Sequence, residues 1–338
     1  MLRTAIVGLG SWGRILVESG QVSSLLRYTV GCTRSPAKAE AYCREHGIAL
    51  AESYDAVLED HRVDAVVLAT PNSQHAAQVI RAAQAGKHIF VEKPFALDWS
   101  SAREAIAAVK KAGVVLGVGF NRRFHPSVRE LRRRAVEGEL GSVGSIINEL
   151  TATGGLYRSP ESWRLDPAEE PAGALAAIGM HLVDTMVYIA GRAIEVYCVA
   201  THRAVPQGDD TTSLLLRFES GVTGLAYCSI AATRNYRLAA YGSHGFAEVV
   251  KPTMETFRFI PAVQGRASHL AAIPEPETIE TPHVNSVTAE LEAFARCAAE
   301  RRPHPIPLED ILHGTAIFEA AVKSAATGAP VAIGEKAD

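Results

Sequence analysis

Gly8-Leu9-Gly10-Ser11-Trp12-Gly13 ends the apolar run Leu2 to Gly8 and opens a helical pattern. In that setting each glycine of a GxGxxG spacing has a physical task. Gly8 permits a tight turn, Gly10 lets backbone approach a pyrophosphate, and Gly13 lets helix and strand pack closely. The helix start at Ser11 and Trp12 then turns its amides toward the phosphates. At the end of the second apolar run, where NAD-binding proteins place an acid for the ribose hydroxyls, the chain reads Cys32-Thr33-Arg34-Ser35. Thr33 and Ser35 can donate hydrogen bonds to a 2′-phosphate and Arg34 can meet it as a fork, which favours NADP while leaving NAD possible. Alternatively, Arg34 stacks on adenine with either cofactor.

Three further segments fall where other strands should end: Thr70-Pro71-Asn72 with His75, then Glu92-Lys93-Pro94, then Asn121-Arg122-Arg123. Ligands of doubly wound sheets bind at the carboxyl ends of the strands. Lys93, directly after a buried strand and before a proline, is then a rigidly aimed ammonium. Its bland alternative is a surface lysine paired with Glu92.

The elements that must position these residues follow from periodicity. Strand candidates Leu2 to Gly8, Tyr28 to Thr33, Asp64 to Ala69, Lys87 to Val91 and Val114 to Gly119 alternate with amphipathic stretches Pro36 to His46, Ser73 to Ala85 and Ser100 to Ala112. Such alternation predicts an α/β Rossmann domain with a doubly wound parallel sheet over residues 1–121. After a helix at Pro126 to Glu137 the texture changes to strands at Val143 to Thr153, Glu195 to Arg203, Thr211 to Glu219, Val222 to Ala231, Arg237 to Tyr241, Ala247 to Val250 and Thr256 to Ile260. Short Gly-containing connections make many of them antiparallel neighbours. Residues 122–338 therefore read as an α+β domain with a large, mostly antiparallel open sheet. Helices are predicted at Ile178 to Ala190, Val284 to Arg301 and Leu308 to Ala326, and an irregular connection over Pro261 to Pro282.

A chain of 338 residues with net charge −3 fits two globular domains and offers no positive field for nucleic acid or anionic lipid. No apolar run is long enough to span a membrane, and the N-terminus lacks a secretory pattern. Five cysteines, with no CxxC pair, argue against a disulfide framework or zinc knuckle, so a reducing, cytoplasmic setting is expected. His46, His61, His88, His244 and His269 show no ligand spacing, and no metal is expected. Arg129, Arg132, Arg133 and Arg134 interleave with Glu130, Glu137 and Glu139, which reads as a solvated helix face rather than a phosphate stripe.

GLGSWG, ATPNSQH, EKP and NRRF, in this order and spacing, resemble the glucose-fructose oxidoreductase, inositol dehydrogenase and MocA family. Ser162-Trp163-Arg164, Gly173 through His181 to Asp184, Asp209-Asp210-Thr211 and the tail from Asn285 to Ile333 extend the resemblance over nearly the whole chain. It implies hydride transfer between a nicotinamide and a sugar, polyol or related alcohol, and a homo-oligomer, dimer or tetramer, joined through the open sheet. Carried over by position, Lys93 binds the reacting oxygen and Glu92, Asn72 and His75 line the nicotinamide ribose. Trp163 and Arg164 close over the cofactor, Arg122 and Tyr157 contact substrate, and His181 exchanges the proton. A histidine suits that role because its pKa lies near working pH.

The family pattern has an acid four residues before this histidine, where the chain has Ala177. Either His181 works with Lys93 alone, or Asp166, Glu169 or Glu170 substitutes, or the protein binds cofactor without turnover. Asp184 fits a packing or capping role. The rivals to a polyol or cyclic-diol dehydrogenase are thus an enzyme for an aldehyde hydrate or dihydrodiol that needs no relay, and an NADP-sensing regulatory protein.

Overall fold

A strand covered on both faces of its sheet must be apolar throughout, as Ala65–Leu68 is. In the computed structural model, which describes residues 1–263 and 272–334, the chain begins β1 (Leu2–Val7), α1 (Ser11–Gln21), β2 (Leu26–Cys32), α2 (Pro36–Glu45), β3 (Ala49–Leu50) and α3 (Tyr54–Glu59). It continues β4 (Ala65–Leu68), α4 (His75–Gln84), β5 (His88–Val91), α5 (Trp99–Ala112) and β6 (Leu116–Val118). All neighbours are parallel, in the order β3-β2-β1-β4-β5-β6. β4 is buried throughout, as expected of a sheet covered on both sides. Local signals set the helix ends: Asp98 accepts from Ser101 N at 2.8 Å to start α5, and Gly113 at φ +64 stops it. β3 and α3, two and six residues long, are too short to show a period and escape the sequence reading.

The chain divides into two units, Met1–Asn121 with Asn285–Thr315, and Arg122–Val284 with the residues from Ala316 on. The sequence reading keeps everything after residue 121 together. In the structure α8 (Ser286–Glu300) returns to the first unit, because its apolar stripe Val287, Leu291, Phe294 and Ala295 shares a core with Leu16, Leu26 and Phe90. α9 (Leu308–Thr327) follows, and the division crosses it at Thr315.

The second unit carries α6 (Pro126–Val136), β7 (Val143–Thr151), α7 (Met180–Ala190), β8 (Ala193–Thr201), β9 (Thr211–Phe218), β10 (Thr223–Ser229) and β11 (Asn235–Gly242). β12 (Gly245–Val250), β13 (Thr256–Pro261), β14 (Glu277–Glu280) and β15 (Val331–Ala332) complete it. Its nine-stranded sheet runs β14-β13-β12-β11-β7-β10-β9-β8-β15, and every neighbouring pair is antiparallel except β7 and β10. Val196, Leu214, Leu216, Cys228 and Leu238 are buried. On the intervening positions Tyr197, Leu215 and Leu225 stand side by side across β8, β9 and β10, exposed by 36, 42 and 45%.

Three expectations are corrected. The connection Pro261 to Pro282 is not irregular throughout: β14 pairs with β13, Phe257 opposite Ile279, and its Glu-Thr-Ile-Glu is exposed at every position, so no alternation betrays it. Residues 264–271 of that connection, His269 among them, lie outside the described residues. The helix expected from Ile178 begins earlier, as a π turn at Leu175–Gly179 that leads into α7. The arginine face is only partly solvated. Arg133 meets Glu130, Glu137 and Glu139, but Arg134 is buried, bridges Glu130 and Glu277, and stacks on Phe257 and Phe259.

Among the described residues no helix is long and apolar enough to cross a membrane.

Candidate functional site

In the first unit the register places Cys32, Val7, Leu68, Val91 and Val118 side by side at the ends of β2, β1, β4, β5 and β6. The segments that follow them therefore emerge along one edge of the sheet. Strand order reverses between β1 and β4, the switch point where doubly wound sheets open a crevice, and Gly8 lies there. A Cβ on Gly8, whose φ is +97, would sit 2.4 Å from the Ala69 carbonyl oxygen, and one on Gly13 would sit 1.9 Å from the Gly8 carbonyl oxygen. Both glycines are required by the protein itself. Gly10 differs, since a Cβ there would meet nothing within 4 Å. Gly10 is the N-cap of α1, no side chain caps it, and the first turn, Ser11 and Trp12 included, holds no acid. Open space over uncapped amides is a cradle that fits a dinucleotide pyrophosphate.

Thr33 is half-buried and Arg34 and Ser35 are exposed beyond β2. Thr33 Oγ1 accepts from Ser35 N at 3.4 Å. Thr70 Oγ1 donates to Gln78 Oε1 at 2.6 Å, and Pro71 and Asn72 are buried behind it. His75 is fully buried, with ring nitrogens 2.8 Å from the Pro94 carbonyl and 3.1 Å from the Thr70 carbonyl. Its imidazole thus pins the Thr70 loop to the turn after β5. That turn holds Glu92, 6% exposed, half-buried Lys93, and a cis peptide to Pro94. Gly119 makes room for the Glu92 carboxylate, which a Cβ would approach to 2.7 Å. Asn121 donates to Ser286 Oγ at 2.8 Å, tying the end of β6 to α8.

In the second unit α7 carries His181, 9% exposed, one turn beyond the buried Ala177 of the π turn. Gly179 allows this start to press on β10, since a Cβ would lie 2.8 Å from Cys228 Sγ. Three residues on, Asp184 takes Arg123 Nε at 2.9 Å and Nη2 at 2.8 Å, both side chains almost fully buried. Thr185 Oγ1 donates to the His181 carbonyl at 2.6 Å and accepts from Asn148 Nδ2 at 3.0 Å. The Arg122 guanidinium lies 4.4 Å from the Tyr236 ring centre. Arg164 stacks on Trp163 at 4.3 Å and pairs with Glu170 at 3.5 Å. Of the acids considered as substitutes, Glu170 is buried, Glu169 is half-buried, and Asp166 is exposed and accepts from Ala168 N. Tyr157 is 83% exposed.

The sheet edge thus gathers the glycine loop and the Thr33, Thr70 and Lys93 segments within one unit, while α7 gathers His181 with Arg123, Asp184 and Thr185 in the other. Tyr236 was missed. The alternation of β11 turns it inward with Leu238, but only the fold brings it under Arg122. Among the described residues no three His, Cys, Asp or Glu side chains gather as metal ligands.

Residues 2–120 match the model of an oxidoreductase family with an NAD-binding Rossmann fold, and residues 128–248 match the GFO/IDH/MocA C-terminal domain. The chain is 29% identical to scyllo-inositol 2-dehydrogenase (NAD(+)) of Bacillus subtilis (strain 168) over 99% of its length and 97% of that protein's. It is 30% identical to myo-inositol 2-dehydrogenase of Thermotoga maritima over 75% of its length and 77% of that protein's. The structure of levoglucosan dehydrogenase in complex with NADH has the same fold, with TM-score 0.88, 22% identity and coverage of 98% of this chain and 99% of that one.

Proposed function

The chain belongs to the GFO/IDH/MocA family of oxidoreductases and carries its NAD-binding Rossmann domain, and from that premise we propose that it is an NADP-preferring dehydrogenase acting on a secondary alcohol or its ketone in a sugar, polyol or cyclic diol. The observation that carries this reading is the common strand-end edge, where Gly10 leaves a cradle beside the Lys93 turn. Bound there, the nicotinamide supplies the hydride acceptor. Oxidising a CH–OH group also releases a proton from oxygen. The Lys93 ammonium orients that oxygen and favours its developing negative charge, and the His181 imidazole takes the proton. Trp163 and Arg164 are assigned to the cofactor, and Glu170 holds Arg164 in place. The apolar, buried Ala177 favours substrates whose proton needs no carboxylate relay, the aldehyde hydrate and dihydrodiol included.

The preference for NADP is supported by the acid-free Cys32–Ser35 segment and its exposed Arg34. Titration should give tighter binding of NADPH than of NADH, and Arg34→Ala should weaken NADPH selectively. Equal affinity of the wild type for both removes the basis for the preference.

Assembly is part of the same proposal. The exposed stripe Tyr197, Leu215 and Leu225 is an apolar sheet face of the kind that proteins cover, and a second copy of the chain is its proposed cover. Light scattering at micromolar concentration should give a dimer or tetramer, and a monomer contradicts it.

A further inference from the structure

The two arginines after Asn121 have opposite surroundings. Arg123 is held by Asp184, with both side chains at most 5% exposed. Arg122, its neighbour, has no ion pair among the described residues. Its Nη1 contacts Met254 Sδ at 3.2 Å, its guanidinium lies over Tyr236, and its Nε is buried without a hydrogen-bond partner. Arg234 also acts on it, and that second cation has a carbonyl partner, Pro252 O at 3.4 Å. Burial pushes the Arg122 guanidinium below its ordinary pKa and Arg234 adds to the push, with Tyr236 opposing. A guanidinium nevertheless keeps its proton in a protein. A permanent charge in such surroundings is costly until an anion meets it.

A second donor stands beside it. The buried Tyr236 hydroxyl lies close to Arg122 and Thr185 without a well-formed hydrogen bond to either. Thr185 is one helical turn beyond His181 and donates to its carbonyl. Two unsatisfied donors and a nearby cation, with no acid among them, therefore sit against the helix that carries the proton-exchanging histidine.

We propose that Arg122 and Tyr236, with Arg234 behind them, form an anion subsite, so that the substrate is a polyhydroxylated carboxylic acid, a sugar acid, rather than a neutral sugar or polyol. This rests on the dehydrogenase reading for its chemistry, not for its anion. A carboxylate matches the planar fork of a guanidinium with two parallel hydrogen bonds. A phosphate shares that chemistry and is the competing source.

The test is calorimetric titration of the full chain saturated with NADP⁺, which keeps the cofactor's own phosphates out of the comparison. The probes are glucose, galactose and mannose, their uronates, and glucose 6-phosphate. At least one uronate should bind about tenfold or more tightly than its parent sugar, with a preference that falls as salt rises. Arg122→Gln should bring that ratio to within about twofold, and Arg122→Lys, which keeps the charge but not the fork, should fall between. If Arg122→Gln does not fold, the lysine variant and the salt dependence still decide. Parent sugars binding as tightly as their uronates, or no uronate binding at millimolar concentration, overturns the subsite. Glucose 6-phosphate binding more tightly than every uronate overturns the carboxylate assignment. Uronate binding with no NADPH or NADH formed from any sugar, polyol, diol or sugar acid supports the subsite and overturns the dehydrogenase reading. Turnover of a neutral polyol together with no anion preference does the reverse.

Discussion

The edge of the first unit and the surroundings of α7 in the second are built from different materials. At the edge, backbone decides: Gly8 and Gly13 press against carbonyl groups, Gly10 faces open space, and strand register lines up the loops. Around α7, side chains from distant parts of the chain decide: Arg123 with Asp184, Arg122 with Tyr236, Asn148 with Thr185. Backbone sites tolerate many substrates because they recognise what every dinucleotide shares. Side-chain sites can discriminate, but they store their cost in buried charge.

Breaking each region once should show this contrast. Asp184→Ala leaves Arg123 buried without a partner and should lower stability by about 3–5 kcal/mol, read as a lower urea midpoint. Gly10→Ala adds a Cβ that meets nothing and should cost about 1 kcal/mol or less, yet weaken cofactor binding. Wild-type stability of Asp184→Ala, or full cofactor affinity of Gly10→Ala, would erase the distinction.

A smaller effect sharpens the electrostatic side of it. His125 is buried, its Nδ1 accepts from Ser127 N to cap α6, and burial, with Arg122 adding, holds its pKa down at about 4. Glu255 opposes the shift, and His283 adds to it. As pH falls from about 6.5 toward about 4, the unfolded chain takes up a proton that the folded chain refuses, so stability present above that window is lost within it, by up to about 3 kcal/mol. His125→Asn keeps a capping acceptor and should flatten this loss. Equal losses in both proteins between those pH values would contradict the assignment.

The same contrast explains what the sequence made legible. GxGxxG spacing, apolar runs and the residues just past them are local, so the Rossmann sheet and its edge could be read directly. The stripe on α8 announced a helix but not whose core it enters, since Phe294 meets Phe90 only after folding. Glu277 to Glu280 shows no alternation because β14 is exposed throughout. Arg134 looked solvated, and its burial depends on Glu277, Phe257 and Phe259, all far along the chain. His181 was legible only through family register, and Tyr236 not at all, because no short spacing links it to Arg122.

The proposed chemistry is tested most directly by the rate of NADPH formation on the best substrate of a sugar, polyol, diol and sugar-acid panel. Lys93→Met and His181→Ala should each lower kcat by about a hundredfold or more, while His181→Ala retains wild-type NADPH affinity. Wild-type turnover in either variant would contradict the roles assigned to Lys93 and His181. Absence of turnover by the wild type on every member of the panel, with NADP⁺ or NAD⁺, would contradict the dehydrogenase reading itself.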